Sequence, residues 1–162
     1  MAQEATECSV AKKNFWRVDG GELEVISFTV FGKPEPQGST RAFIPKGWKR
    51  PIITSTNKAL KPYRQEVSRT ALETCQAAGK VMPFGKHEPV ELSVNFYFER
   101  PPSAPKKRSF PVVKPDLDKL VRAVKDAMSG IVYHDDAQVV GYGNIRKHYG
   151  TPERTEITVK AI

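Results

Sequence analysis

Two pairs of aspartates, Asp116 with Asp118 and Asp135 with Asp136, lie in the stretch KPDLDKLVRAVKDAMSGIVYHDDAQVV, Lys114 to Val140. Clustered carboxylates repel one another and resist ionising together unless a cation or a strong donor offsets the repulsion. A divalent metal is the usual offset, and hard oxygen ligands suit Mg²⁺, which keeps several waters and needs only one or two carboxylates plus substrate phosphate. The chemistry that fits is metal-assisted hydrolysis of a phosphodiester, with Arg122, one helical turn after Asp118, as a fixed positive donor to the phosphate. A plainer arrangement has the same pattern: Asp116 as a helix cap, Asp118, Arg122 and Asp126 as an exposed ion-pair stripe, and Asp135 and Asp136 in a polar turn. The spacing alone does not choose between them.

The elements that must position these side chains follow from local pattern. Pro115 biases Lys114 towards extended backbone, so no helix begins before it. Asp116 is a good N-cap, and Leu117, Leu120, Val121, Val124 and Met128 recur at three- and four-residue steps, which gives one buried helix face. Asp118, Arg122 and Asp126 recur at four-residue steps along a different side. Gly130 supplies the left-handed stop. The chain then reverses through Ile131 to His134, carrying Asp135 and Asp136 back towards the start of the helix or its flank, and a strand leaves the turn over Gln138 to Ile145.

The strings PDLDKLVRAVKDAMSG and YHDDAQVV together resemble the signature of the RusA family of Holliday-junction resolvases, often carried by phages. In that family a DxD motif opens a helix, a basic residue follows four positions after the second Asp, and a DD pair is followed closely by QVV. Both acidic pairs, the helix and the trailing Gln-Val-Val occur here in that order. The N-terminal half matches loosely, through FTVFGKPEPQGSTR. The resemblance implies a small homodimeric endonuclease that cuts four-way DNA junctions with Mg²⁺, for which Mn²⁺ can substitute. Carried over residue by residue, it makes Asp116, Asp118 and Asp136 the metal-holding catalytic carboxylates, with Asp135 as a helper. Arg122 stands where members of the family often have a catalytic Lys; a guanidinium stabilises charge but holds its proton, with a pKa above about 12.

The rest of the chain is consistent with a polyanionic partner. Its 162 residues suffice for one domain with a proper core, and 26 Lys and Arg against 18 Asp and Glu give a net charge of +8. Two cysteines, Cys8 and Cys75, without metal spacing, read as reduced thiols. No stretch is apolar enough for a signal peptide or a membrane span, so the expectation is a cytoplasmic protein with no membrane partner and no small-molecule cofactor.

Residues 1–21 read as a flexible arm, with Lys12, Lys13, Phe15, Trp16 and Arg17 as either a nucleic-acid grip or an anchor to the body, and residues 22–162 as a single domain. Glu22 to Phe31 reads as a core strand. Lys33, Arg41, Lys46, Lys49 and Arg50, interleaved with Phe43 and Trp48, suggest a basic hairpin or loop lying along a DNA backbone. A short strand over Ile52 to Thr54 follows. Pro62 suits the first position of a helix running to about Ala78, with Tyr63, Val67, Ala71, Leu72 and Cys75 on its apolar side. Val90 to Arg100 alternates cleanly as a strand, and a mobile Pro-rich loop with Lys106, Lys107, Arg108 and Lys114 delivers the chain to Asp116. Arg154 to Ile162 is the last strand. This order argues for an α+β domain: a mixed β-sheet with two helices packed mainly on one face. Two other readings stay open, a flap or single-strand endonuclease with the same carboxylates, and a non-catalytic DNA-binding protein.

Overall fold

Apolar and polar side chains alternate along the strands, and that alternation builds the architecture. The computed structural model describes residues 24–38, 40–79 and 83–162; the expected arm over 1–21, with its basic and aromatic residues and Cys8, lies outside them. In chain order the elements are β1 (Val25–Phe31), β2 (Thr40–Phe43), β3 (Ile52–Ser55), α1 (Leu60–Ala77), β4 (Val90–Phe98), α2 (Leu117–Met128), β5 (Val139–Tyr149) and β6 (Arg154–Ala161). A short 3-10 turn, Asp136–Gln138, precedes β5.

β1, β6, β4 and β5 form a four-stranded sheet in that order, antiparallel except for the parallel pair β4 and β5. One face is apolar: Ile26, Phe28 and Val30 of β1, Val90 to Phe98 at every second position of β4, and Ile157, Val159 and Ala161 of β6 are all buried. Both helices cover that face, as the sequence predicts. α1 contributes Leu60, Tyr63, Val67, Ala71 and Cys75; α2 contributes Leu120, Val121, Ala123, Val124, Ala127 and Met128. The two helices also touch each other, and Ser68 Oγ of α1 donates to the Ala127 carbonyl of α2 at 2.7 Å. A polar pair in this interior, Tyr63 Oη with Thr155 Oγ1 at 2.8 Å, satisfies both hydroxyls. The opposite sheet face is polar and partly exposed, knitted by the Ser27–Thr158 hydrogen bond, the Lys160–Glu91 ion pair and the stacked rings of Tyr97 and His148.

Several boundaries differ from the sequence expectation, most of them by a residue or two. α1 starts at Leu60, two residues before Pro62, because an Asn57 side chain accepting from Ala59 N closes the turn first. β4 ends at Phe98, short of Arg100. β5 runs on to Tyr149 rather than stopping at Ile145, since β4 offers it a parallel partner along its whole length. β2 and β3 form the expected basic hairpin as a two-stranded sheet of their own.

β5 carries two irregularities against β4, each giving β5 an extra residue over its partner. At the second of these Leu92 pairs with Tyr142 and Val94 with Ile145. The bulge places Tyr142 and Ile145, three residues apart, on the same helix-facing side, which strict alternation forbids. Gly143 lies within it, where a Cβ would crowd the Ser93 hydroxyl and force that side chain to move.

Candidate active site

The start of α2 sets the first carboxylate. Asp116 occupies the N-cap position in extended backbone, as expected, but its side chain makes no capping hydrogen bond. It turns instead to Lys119 Nζ, 3.0 Å away. That hydrogen bond, with the charges of Lys119, Lys114 and Lys147, holds the Asp116 carboxyl below the usual carboxylate range. Asp116 shares a shallow depression with Lys33, Lys114 and Lys119. From β5, Lys147 Nζ donates to the carbonyls of Val113 and Pro115, both at 2.9 Å, and so fixes the chain just before Asp116.

Further along α2, Asp118, Arg122 and Lys125 line one open cleft of about 700 Å³ with Leu117, Val121, Asp136, Tyr142 and Ile145. Asp126 does not belong to this line, contrary to the four-residue reading. It sits 4.0 Å from Arg64 in a separate depression against α1. At about 100° per residue, seven steps from Asp118 fall about 20° short of two turns while eight overshoot by about 80°, so Lys125 continues the face and Asp126 leaves it. Sequence reasoning missed Lys125, and this seven-residue spacing is the signal that would have found it.

The opposite wall comes from the returning chain. Gly130, at φ +79°, ends the helix turn, and the fully buried Tyr133 donates its hydroxyl to the Lys125 carbonyl at 3.0 Å. Burial pushes the Tyr133 phenol well above its ordinary pKa, so it stays a neutral donor. Gln138, also buried, then ties the turn down. Its Oε1 accepts from His134 N at 2.8 Å and Asp135 N at 3.2 Å, and its Nε2 donates to the carbonyls of Gly85 at 2.7 Å and Glu88 at 3.0 Å. Asp135 caps the turn, accepting from Ala137 N at 2.8 Å, and forms a reciprocal capping box with Gln138. Its carboxylate is engaged in holding the turn. Asp136 is the member of the pair that lines the cleft, with Lys125 Nζ at 3.7 Å.

Thus Asp118, Arg122 and Asp136 come together in the cleft, Asp116 lines a separate depression paired with Lys119, and Asp135 serves the turn. Among the described residues no group of three or more His, Cys, Asp or Glu side chains is disposed to hold a metal ion. Two carboxylates in an open, water-accessible cleft still suit a hard cation such as Mg²⁺, which needs few protein ligands.

The expected DNA contacts fall in three places. Lys33 and Lys114 flank Asp116. Arg41 lies in β2, and Lys46, Lys49 and Arg50 are exposed in the turn that joins it to β3, beside the exposed Phe43, Ile44 and Trp48. Lys106 and Lys107 are exposed and Arg108 is partly exposed in the Pro-rich loop. That loop is tied to the body: the Arg100 guanidinium donates to the carbonyls of Pro105 and Arg108, and Phe110 lies 5.8 Å from the His148 ring.

The family model described as Endodeoxyribonuclease RusA matches residues 32–160. This chain belongs to the RusA family. The match takes in the basic hairpin, both helices and every residue of the cleft, and the family is one of endodeoxyribonucleases. The RusA-family chain is also similar to a Bacillus subtilis (strain 168) protein described as uncharacterized protein YqaN, with 31% identity over 141 residues, 86% of this chain and 99% of the other. Among the described residues of this RusA relative, no helix is long and apolar enough to cross a membrane.

Proposed function

We propose that the protein is a divalent-metal-dependent endonuclease that resolves four-way DNA junctions by paired nicks, acting as a homodimer in DNA recombination and repair. The observation that carries this reading is the convergence of Asp118, in the first turn of α2, and Asp136, in the 3-10 turn before β5, on one cleft that also holds Arg122. Asp118 and Asp136 would hold Mg²⁺, or Mn²⁺ in its place, with Asp116 as the third carboxylate when Lys119 releases it. When bound, the ion supplies a more acidic water and Lewis acidity at the phosphorus. Arg122 grips the phosphate and stabilises the charge that grows on its oxygens. Lys33, Lys114 and the Lys106–Arg108 loop hold the strand on the Asp116 side, and the hairpin carrying Arg41, Lys46, Lys49 and Arg50 holds a neighbouring arm. A four-way junction has two-fold symmetry, so two copies of the cleft related by a two-fold axis match paired cuts on opposite strands.

The test is cleavage of a synthetic four-way junction with Mg²⁺, beside a flap, a single strand and a linear duplex. The expected outcome is paired nicks in the junction alone, abolished by Asp116→Asn with junction binding intact or tighter, because a negative charge facing phosphate has been removed. Preferred cutting of the flap or single strand would identify a different endonuclease on the same carboxylates. Binding without any cutting would identify a DNA-binding protein.

A further inference from the structure

The cleft holds a cation that has no part in the chemistry assigned to Asp118, Asp136 and Arg122. Lys125 lies on the same face of α2 as Asp118 and Arg122, and its side chain is 19% exposed, so the stem lies along the wall while the ammonium stands 3.7 Å from Asp136. A direct charged hydrogen bond would be about 2.8 Å long, so the pairing is an attraction across the cleft rather than a locked contact. The Tyr142 ring is 5.9 Å from the same ammonium. The backbone below is fixed, since the Lys125 carbonyl accepts from Tyr133 Oη at 3.0 Å and from Ser129 N at 3.2 Å. Only the end of the side chain can change partner. A divalent ion held by Asp136 would bring a second positive charge to the carboxylate this ammonium faces, and two cations near one carboxylate repel.

We propose that Lys125 is a displaceable counter-ion and a second phosphate contact. Without a divalent ion its ammonium neutralises Asp136; with one bound, the ammonium is released to the scissile phosphate and joins Arg122 there. A compact charge on a flexible stem suits such an exchange, whereas the planar fork of Arg122 suits a fixed grip. The inference rests on the nuclease reading and adds a residue to it.

Mn²⁺ titration of the DNA-free protein, followed by electron paramagnetic resonance, and single-turnover cleavage of a four-way junction at saturating Mn²⁺ test it in wild type, Lys125→Met and Lys125→Arg. Lys125→Met is expected to bind Mn²⁺ at least about threefold more tightly and to cut at least about tenfold more slowly, opposite changes that misfolding does not produce. Lys125→Arg, which keeps the charge, is expected to bind Mn²⁺ within about threefold of wild type. The proposal is overturned if Lys125→Met leaves Mn²⁺ affinity unchanged or weaker, or cuts at the wild-type rate. A wild-type protein that neither binds Mn²⁺ nor cuts any branched DNA removes the nuclease reading itself, and the Lys125 role with it.

Discussion

Adjacent aspartates in one short turn have separate tasks. Asp135 accepts a backbone hydrogen bond and caps the 3-10 turn, while Asp136 lines the cleft. Asp135→Asn keeps the accepting oxygen, so it is expected to retain most of the cleavage rate and the melting temperature, whereas Asp135→Ala loses the cap and about 1 kcal/mol of stability. Asp136→Asn keeps the fold and is expected to cut at least about a hundredfold more slowly, the scale on which a group acting only at the reacting phosphate shows itself. Thermal melts and junction cleavage on the three variants separate the roles; equal losses from both Asn variants would refute the division. Arg122→Lys asks what the guanidinium does. Retained cutting would assign Arg122 a charge role alone, and loss with junction affinity unchanged would show that its two-pronged geometry matters.

At the scale of elements, the site depends on how the α2 return is anchored. Gln138 contributes four hydrogen bonds that join the turn at His134 and Asp135 to the loop at Gly85 and Glu88. Gln138→Leu would leave two N–H groups and two carbonyls in search of partners, at a cost of about 1–3 kcal/mol for each one that stays buried and unpaired. The expected result is a clearly lower melting temperature and slower cutting at temperatures where the variant is folded, because Asp136 loses its fixed place. Unchanged cutting in the folded variant would mean that Asp136 is held by something else. The Gln of the Gln-Val-Val string was legible as part of a pattern; its physical reason, a buried amide bridging two loops about fifty residues apart, was not.

At the scale of the whole molecule, a net charge of +8, with basic residues on the hairpin, the Pro-rich loop and the rim of Asp116, predicts binding governed by counterion release. If six or more phosphates are neutralised, junction affinity should fall about a thousandfold or more between 50 and 200 mM salt. Replacing Lys46, Lys49 and Arg50 together by Ala should lower the slope of log affinity against log salt by roughly 2–3, about one unit for each phosphate that is no longer neutralised. A fluorescence titration over a salt series reads this directly, and an unaltered slope would take the hairpin out of the DNA interface.

Amphipathic periods of two and 3.6 residues determined most of the strands and both helices, since burial of one face is a local property of spacing. Clustered carboxylates and the family resemblance, not periodicity, singled out Asp116, Asp118, Arg122 and the Asp135–Asp136 pair, and turn chemistry gave the Gly130 stop between them. None of these decided which carboxylates converge, because that depends on where two separate segments meet. Tertiary structure brought Asp136 to the face of Asp118, committed Asp135 to its cap and set Asp116 against Lys119. It also put Lys125 in the cleft in place of Asp126, and Tyr142 with Ile145 on one side of a bulged strand. Periodicity describes an element in isolation; a rotation of a fraction of a turn or one extra residue in a strand, both set by the neighbours, decides which side chains share a cleft.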